Sequence, residues 1–260
     1  MTQKKAVSVG DLAHYRLPVM KRRVAQALTA LEMAQEKGRL GVSFSGGKDS
    51  TVLASLARIY DAAAPLGFFD SGCEYPETVQ FVQDMGAEVL MPQKSLREML
   101  REGGYWGYAG AEADPDITFD FRAYLVNEPS RQFVVRCDLS VVAIGLREEE
   151  SAGRRMLGKG LYSKGQGPLL FSASQDCWQA YPLLSWTHED IWAYIAGRDL
   201  PYNPVYDRMA ALDIPREEWR VSTLLGEAGV SLGRFARLRF LYPALFNELS
   251  AEFPKITRHT

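Results

Sequence analysis

Cysteine and histidine are scarce in this 260-residue chain, and their scarcity excludes several kinds of site. There are three of each, with no Cys-x-x-Cys pair and no histidine beside a cysteine: Cys73, Cys137, Cys177, His14, His188 and His259. This spacing matches neither a zinc site nor a four-thiolate iron–sulfur cluster, so we expect no iron–sulfur cluster. A small, odd number of cysteines is typical of a reducing compartment and predicts a cytoplasmic protein.

Long apolar runs and a strong net charge are also lacking. No apolar run approaches the length of a membrane span, so no membrane association is expected. The first ten residues include lysines but not the apolar stretch of a signal peptide. The formal net charge of −2 gives the whole molecule no electrostatic attraction to nucleic acid or to an anionic membrane. A binding site for a polyanion must therefore be a local patch.

Short apolar segments alternate along the chain with segments of helical periodicity. They predict strands at residues 40–44, 66–69, 87–91 and 141–145, and helices at residues 18–38, 50–60, 76–85, 96–101 and 188–197. This alternation favours an α/β fold with a doubly wound, mostly parallel sheet. We divide the chain into an N-terminal helical segment, a nucleotide-binding domain and a small helical C-terminal extension, at residues 1–39, 40–207 and 208–260.

A pair of glycines follows the first predicted strand, in the segment Ser45-Gly46-Gly47-Lys48-Asp49-Ser50. A glycine turn between strand and helix lets backbone N–H groups converge on an anion, and the helix dipole adds to their effect. Lys48 would supply a positive charge for phosphate oxygens, and Ser45 and Ser50 would supply hydroxyl groups. Asp49 would hold Mg²⁺ or orient a backbone amide. The spacing differs from that of the Walker loop, and the alternative is an ordinary tight turn.

Two more candidate sites also follow directly after predicted strands. Asp70 and Arg147 stand at two such ends, and ligands of parallel sheets bind beyond the carboxyl ends of the strands. We therefore expect both residues to share one active site with the glycine turn. Asp70 would bind Mg²⁺ or a ribose. Arg147, Ser151 and Arg154 would clamp a phosphate or sulfate, since guanidinium groups grip such oxyanions with two hydrogen bonds; a solvated charged loop is the alternative.

Basic residues recur in two later segments. Residues 153–167 are rich in glycine, which predicts a mobile loop whose Lys159 and Lys164 close over the ligand. Nearer the C-terminus stand three arginines that would form a patch for a nucleic-acid acceptor, although arginines on a solvated helix face are common: Arg234, Arg237 and Arg239.

Four segments, taken together, resemble those of one enzyme superfamily. The loop of residues 45–50 resembles the signature of the PP-loop ATP pyrophosphatases, which cleave ATP between the α- and β-phosphates. Residues 70–78 (DSGCEYPET), the Gly145-Leu146-Arg147 segment with Ser151 and Arg154, and the tryptophan-rich residues 182–204 are similar to its phosphoadenosine-phosphosulfate reductase-like branch. The resemblance covers about residues 40–207 in the family's order.

This resemblance implies an adenine nucleotide alpha hydrolase-like fold that binds ATP with Mg²⁺. It implies catalytic roles for Lys48, Asp49, Asp70 and Arg147, with Asp49 and Asp70 as metal ligands. The nucleotide would be bound by residues of the loop and of the later strand ends: Ser43, Phe44, Ser45, Gly46, Gly47, Lys48, Asp49, Ser50, Asp70, Gly145, Arg147, Ser151 and Arg154.

One feature of that branch is missing from this chain. Its sulfonucleotide reductases carry a redox cysteine in a C-terminal Glu-Cys-Gly-Leu-His segment, and no cysteine follows Cys177 here. We therefore expect cleavage of ATP to AMP and pyrophosphate, which adenylates an acceptor for sulfur transfer; thiolation of a nucleic acid is one such use. The alternatives are a sulfonucleotide reductase that uses an atypical thiol such as Cys73, and a nucleotide-sensing subunit without turnover. The sequence does not identify the acceptor. A sulfur-donor protein partner and a homodimer are both compatible with it.

Overall fold

Six strands form one sheet in this computed structural model, which describes residues 5–163, 167–221 and 234–259. Their order across the sheet is β3-β2-β1-β4-β6-β5. Only β5 is antiparallel, to β6. The predicted mostly parallel α/β sheet is therefore confirmed. The strands are β1 (Leu40–Ser43), β2 (Leu66–Phe69), β3 (Glu88–Leu90), β4 (Val141–Ile144), β5 (Leu169–Ser172) and β6 (Cys177–Ala180).

Eleven α-helices lie among the described residues. Proline occupies the first turn of α2 and α4, and a capping box of Thr187 and Asp190 opens α8. None of the helices in the described ranges is long and apolar enough to cross a membrane. They are α1 (Val9–Tyr15), α2 (Pro18–Gln35), α3 (Lys48–Tyr60), α4 (Pro76–Asp84), α5 (Leu96–Glu102), α6 (Glu128–Arg136), α7 (Ala152–Ser163), α8 (His188–Gly197), α9 (Val205–Ala211), α10 (Arg234–Leu241) and α11 (Pro243–Glu252).

Alternate strand residues enter two cores on opposite faces of the sheet. Val42 and Ala143 belong to the larger core, which also includes residues of α3 and α8. Val142 faces the other way and packs with Phe133 of α6. Gly67 leaves room for that ring, because a Cβ at this position would lie 2.7 Å from Phe133 Cγ. Both faces of the sheet are covered, which explains why the parallel strands are almost continuously apolar.

Residues 153–167 were expected to form a mobile loop, and for most of this segment the prediction is wrong. The structure has the helix Ala152–Ser163 there. Leu161 is buried with Tyr181 in a small third core, which stabilises a helix that its glycines alone would disfavour. Lys164, expected to close over the ligand, lies outside the described residues.

The strand order places three loops side by side. β1 lies between β2 and β4 and is parallel to both, so the carboxyl ends of these strands point the same way. The chain runs from β1 to β2 and β3 on one side, and then returns to add β4 on the other. This reversal beside β1 is the switch point at which doubly wound sheets bind ligands.

Candidate functional site

The loop between β1 and α3 has a shape that requires glycine. Gly46 has φ +68°, and a Cβ there would lie 2.9 Å from Val82 Cγ1. The Asn203 side chain donates a hydrogen bond to the Gly46 carbonyl at 3.2 Å and fixes the turn from outside. Gly47 is the N-cap of α3 and has no side-chain cap. The helix N-terminus therefore opens onto the loop, as an anion site requires.

The two serine hydroxyls expected to bind phosphate also stabilise the loop itself. Ser50 Oγ donates to the Gly47 carbonyl at 2.9 Å, and it lies 3.2 Å from Ser45 Oγ. Ser45 Oγ in turn accepts a hydrogen bond from the Gly47 amide at 3.4 Å. These bonds hold the backbone N–H groups in place, so each serine has a positioning role beside any contact with a ligand.

A buried chain of charges lies at the start of α3. Asp49 accepts hydrogen bonds with its two carboxylate oxygens from Lys48 Nζ at 2.7 Å and from Arg147 Nε at 2.5 Å. Lys48 and Arg147 are 3% and 2% exposed. The structure thus brings Arg147 to the glycine loop, although 98 residues separate it from Asp49 in sequence.

The electrostatics of this cluster keep Asp49 ionised. Burial by itself would raise the pKa of Asp49, but the charges of Lys48 and Arg147 outweigh it and hold the pKa below its ordinary value. Burial lowers the pKa of Lys48, opposed by the charge of Asp49 and reinforced by that of Arg147. Asp49 is therefore the counter-ion that allows Lys48 and Arg147 to lie close together at the glycine loop.

The segment after β4 supplies further charges of both signs. Arg147 pairs with Glu149, and Arg154 pairs with Glu150. Glu149 is 40% exposed, so it can leave Arg147 when a ligand anion replaces it. The hydroxyl of Ser151, expected to bind an oxyanion, accepts a hydrogen bond from the Arg154 backbone N–H at 3.2 Å, near the start of α7, and its role at a ligand stays a prediction.

Gly145 allows the end of β4 to lie directly against the glycine loop and the start of α3. A Cβ on this residue would lie 3.2 Å from the backbone carbon of Asp49 and 3.3 Å from the amide nitrogen of Ser50. A larger side chain would push the two loops apart. This close approach explains the glycine at position 145, two residues before Arg147, which reaches Asp49.

Asp70 stands at the end of β2, next to β1 in the sheet. Its carboxylate accepts a hydrogen bond from the Gly72 amide at 2.8 Å. Mg²⁺ is usually held by one or two carboxylates together with phosphate oxygens. Asp49 fits this role poorly, since both its oxygens are bonded to cations, and the described residues hold no group of three or more His, Cys, Asp or Glu for a metal. Asp70 is the better candidate ligand, and Mg²⁺ stays a prediction.

A cavity of about 220 Å³ opens between the ends of β1 and β2. Its wall is mainly apolar and continues directly into the glycine loop through Ser45. Apolar walls with a few polar groups are typical of pockets for small organic ligands. Ser43 and Phe44, which the resemblance placed at the nucleotide, lie in this wall. The cavity is lined by Ser43, Phe44, Ser45, Gly67, Phe68, Phe69, Ser71, Glu74, Leu125 and Val126.

Glu74 is the ionisable residue of this cavity, and sequence analysis did not single it out. Its carboxylate accepts a hydrogen bond from Ser71 Oγ at 2.6 Å. Burial raises the pKa of Glu74 to about 7, and the charge of Asp70 adds to the effect while the Ser71 bond opposes it. Glu74 belongs to the DSGCEYPET segment, so the resemblance was the available signal for it.

Three other residues near the loop were also missed. The Tyr206 hydroxyl accepts a hydrogen bond from the Lys48 backbone N–H at 2.9 Å. His188 is half-buried, and its Nε2 is buried without a hydrogen-bond partner among the described residues. Burial lowers the pKa of His188 to about 4, and the charges of Lys48 and Arg147 contribute, so the ring is neutral. The charge of Arg220 lowers the pKa of Lys48, which places this arginine within electrostatic range of the loop.

The three cysteines are poorly suited to act as nucleophiles. Cys73 is 4% exposed, and burial, followed by the charge of Glu74, raises the pKa of its thiol to about 12. Burial likewise raises the pKa of Cys137 and of Cys177 to about 11. Because the thiolate is the reactive form, none of these residues is activated for redox chemistry at neutral pH.

The arginines near the C-terminus make contacts within the chain. Arg237 pairs with Glu218 at 3.4 Å, and the guanidinium of Arg239 lies 5.9 Å from the ring centre of Phe246. The side chain of Arg234 lies outside the described residues. A nucleic-acid patch at these positions stays a prediction.

Comparison with known proteins gives a family match over most of the chain. The phosphoadenosine phosphosulfate reductase domain matches residues 39–233. An uncharacterized protein of Methanocaldococcus jannaschii is 28% identical over 222 residues, which are 84% of this chain and 48% of that protein. This chain thus spans about half the length of that relative. The phosphoadenosine 5'-phosphosulfate reductase of Xanthomonas axonopodis pv. citri is 24% identical over 186 residues, 69% of this chain and 70% of that enzyme.

Among solved structures, a similar one is the phosphoadenylyl-sulfate reductase of Candida auris in its phosphate complex. It shares 18% sequence identity and gives a TM-score of 0.49, covering 70% of this chain and 84% of that one. A likeness at this level says nothing about the substrate of the present chain.

Proposed function

Because the chain belongs to the phosphoadenosine phosphosulfate reductase domain family, we propose that it cleaves ATP to AMP and pyrophosphate and transfers the AMP to an acceptor. The observation that carries the proposal is the meeting of Lys48, Asp49 and Arg147 at the N-terminus of α3, beside a base-sized cavity. Cations and backbone N–H groups at a helix start favour a polyphosphate, and the cavity offers an apolar wall for a nucleobase.

The sites lie in the order in which a nucleotide would occupy them. The base would enter the cavity between β1 and β2, and the phosphates would cross the glycine loop toward Arg147 on the β4 side. An acceptor atom would then attack the α-phosphorus, the bond between that phosphorus and the bridging oxygen would break, and pyrophosphate would leave with the electron pair. Lys48 and Arg147 would stabilise the negative charge that builds on this leaving group.

The role we assign to Asp49 is to position these cations. With one oxygen on each partner it holds Lys48 and Arg147 in fixed places, so that no reorganisation is needed as charge develops. The carboxylates Glu149 and Glu150 would compete with the phosphates for the arginines. Substrate binding would therefore exchange protein carboxylates for phosphate oxygens around the same guanidinium groups.

Sulfur transfer is the further step that we propose. The adenylated acceptor would lose AMP to a sulfur nucleophile, and the AMP would leave with the electron pair of the bond to the acceptor. Since the thiols of this chain are held in their neutral form, we infer that a partner supplies the sulfur. A nucleic acid is one acceptor compatible with this chemistry.

Reduction of a sulfonucleotide is the second candidate, because several relatives are named phosphoadenosine 5'-phosphosulfate reductase. It would need a thiolate to attack the sulfur atom, and Cys73 is the thiol nearest the site in sequence. The raised pKa of Cys73 argues against it. Incubation with a sulfonucleotide and a thiol reductant would release sulfite under this alternative, and Cys73→Ser would abolish the release. A nucleotide-sensing subunit would instead bind ATP with no turnover under any condition.

The proposal is tested by the products formed from ATP labelled at the α-phosphate. We expect labelled AMP and pyrophosphate once an acceptor fraction and a sulfur source are supplied. Labelled ADP with inorganic phosphate would show that a different bond is cut and would contradict the proposal.

The site itself is tested by the affinity for ATP, measured by calorimetry. We expect Lys48→Ala to weaken binding roughly tenfold to hundredfold, since a hydrogen bond to a charged group contributes about 1.5–3 kcal/mol. Lys21→Ala is the matched control, because Lys21 is exposed on α2. Equal affinity of the Lys48 variant and the control would overturn the assignment of the phosphate loop.

A further inference from the structure

The hydroxyl of Tyr206 lies at the first turn of α3, where the nucleotide phosphates are proposed to bind. It accepts the Lys48 backbone N–H at 2.9 Å, although the two residues are 158 positions apart in sequence. A Cβ built on Gly47 would lie 3.5 Å from the same oxygen. Tyr206 is 2% exposed. α9 thus delivers a buried hydroxyl to the open N-terminus of another helix.

The aromatic ring is held by its neighbours. The edge-on contact with Trp192 has ring centres 5.1 Å apart and an interplanar angle of 87°. Trp219 lies on another side, with ring centres 5.9 Å apart. Asn203, three residues earlier, donates hydrogen bonds to the Gly46 carbonyl at 3.2 Å and to Thr78 Oγ1 at 2.9 Å. The hydroxyl is therefore fixed relative to the loop by contacts on both sides.

Among the residues that the structure describes, this hydroxyl makes one hydrogen bond, as an acceptor. A phenol has acceptor lone pairs and one proton to donate. Lys48 N–H occupies the acceptor side, and no residue in the described part of the chain accepts the proton of Tyr206. Burial and then the charge of Asp49 raise the pKa of Tyr206, so the proton stays on the oxygen at neutral pH. A buried donor without an acceptor is costly, which calls for an acceptor on the ligand.

We propose that the Tyr206 hydroxyl donates a hydrogen bond to a phosphate oxygen of the leaving pyrophosphate, which makes it a substrate-binding residue. The inference rests on the proposed function. The hydroxyl proton is not transferred: it stays on Tyr206 while the bond strengthens as negative charge grows on the pyrophosphate. The hydrogen bond from Lys48 N–H polarises the hydroxyl and makes it a better donor.

The test compares the affinities of Tyr206→Phe and the wild-type protein for ATP, inorganic pyrophosphate and AMP, by calorimetry. The phenylalanine ring preserves the contacts with Trp192 and Trp219 and removes the hydroxyl alone. We expect roughly tenfold to hundredfold weaker binding of ATP and of pyrophosphate, with AMP affinity unchanged. Tyr202→Phe is the matched control: its hydroxyl donates to Asp207 at 2.8 Å and its ring also contacts Trp192 edge-on.

Other outcomes would overturn the inference in distinguishable ways. Tighter pyrophosphate binding by Tyr206→Phe would show that the hydroxyl competes with phosphate for the Lys48 amide. Equal losses of AMP and pyrophosphate affinity would show a purely structural role. If wild-type protein binds ATP and pyrophosphate and the variant binds them equally well, the inference fails alone. If wild-type protein binds neither, the proposed function fails together with it.

Discussion

At the scale of single residues, the candidate site depends on carboxylates that serve different purposes. Asp49 bridges two cations, and Asp70 caps a turn by accepting the Gly72 amide. Glu74 faces a cavity and is bonded to one hydroxyl. Asp49 is surrounded by positive charge, which lowers its pKa. Glu74 is buried without a cation, which raises its pKa. A cluster of charged side chains and a mainly apolar cavity thus lie side by side.

Glu74 makes the stability of the protein depend on pH. Its pKa is about 7 when folded and has an ordinary value of 4.5. Between these values the folded protein keeps a proton that the unfolded chain has lost, so stability falls as pH rises through this window. We expect Glu74→Gln, which stays neutral, to lose this dependence. The melting temperature of Glu74→Gln relative to that of the wild-type protein should therefore rise from about pH 4.5 to about pH 7. Above pH 7 the difference between the two should stay constant.

Differential scanning calorimetry across this range measures the effect. Glu98→Gln is the control, since Glu98 is exposed and caps α5. Its pKa is lowered from 4.5 by its bonds with Ser95, so its contribution to stability is complete above about pH 4.5 and is lost only as the pH falls below that value. Parallel curves for wild-type protein and Glu74→Gln over the whole range would contradict the burial of this carboxyl group.

At the scale of elements, the turn between β1 and α3 depends on Gly46 in two ways. Its φ of +68° disfavours any other residue, and a Cβ would meet Val82 at 2.9 Å. Gly86 has a similar φ of +72°, with nothing within 4 Å of a Cβ. The two glycines therefore separate the backbone effect from the steric effect.

We expect Gly46→Ala to reduce the free energy of unfolding by more than Gly86→Ala. The backbone effect costs about 1 kcal/mol at each position, and the clash with Val82 adds about 1–3 kcal/mol at Gly46 only. Urea denaturation of both variants gives the difference. ATP affinity should fall only for Gly46→Ala, because only that glycine lies in the loop proposed to bind phosphate. Equal destabilisation of the two variants would show that the loop relaxes around the added methyl group.

Helix α7 shows how tertiary contacts override local composition. Its glycines favoured a loop in sequence, and yet the segment is helical and Gly158 is buried. The helix packs against the segment after β4, with the carboxylate of Glu148 beside Gly158. Lys159, expected on a closing loop, is instead exposed on this helix.

At the scale of the whole molecule, the N-terminal residues are joined to a segment about 205 positions later in the chain. Arg216 donates to both carboxylate oxygens of Asp11 at 3.0 and 2.8 Å and to the Ala6 carbonyl at 2.6 Å. Its guanidinium also lies 5.1 Å from the ring centre of Trp192 and 5.5 Å from that of Trp219. These contacts connect the N-terminal residues to the aromatic cluster that holds Tyr206.

We expect Arg216→Ala to lower the free energy of unfolding by about 2–3 kcal/mol, because the buried Asp11 carboxylate loses its cation and keeps only its bonds with Ser8. For a chain of this size the melting temperature should fall by about 5 °C. Arg16→Ala is the control, since Arg16 is exposed after α1. If the melting temperatures of the two variants agree, the contact with Asp11 contributes nothing to stability.

Much of the fold could be predicted from the sequence because its signals are local. Apolar runs predicted β1, β2, β3 and β4, and helical periodicity predicted α2, α3, α4, α5 and α8. The short strands β5 and β6 and the helices α1, α6 and α9 were not predicted. The division at residues 39 and 207 stays a prediction, although Val221, beyond the second boundary, lies against Gly47 of the glycine loop.

The sequence by itself determined the glycine loop, the parallel sheet and the family, because each rests on neighbouring residues and on their order. Only the tertiary structure decided that Asp49 bridges Lys48 and Arg147, and that Tyr206 reaches the Lys48 amide. The buried cavity at Glu74 and the raised pKa values of the cysteines likewise appeared only in three dimensions. Burial and charge pairing join residues that are far apart in the chain, so no local pattern encodes them.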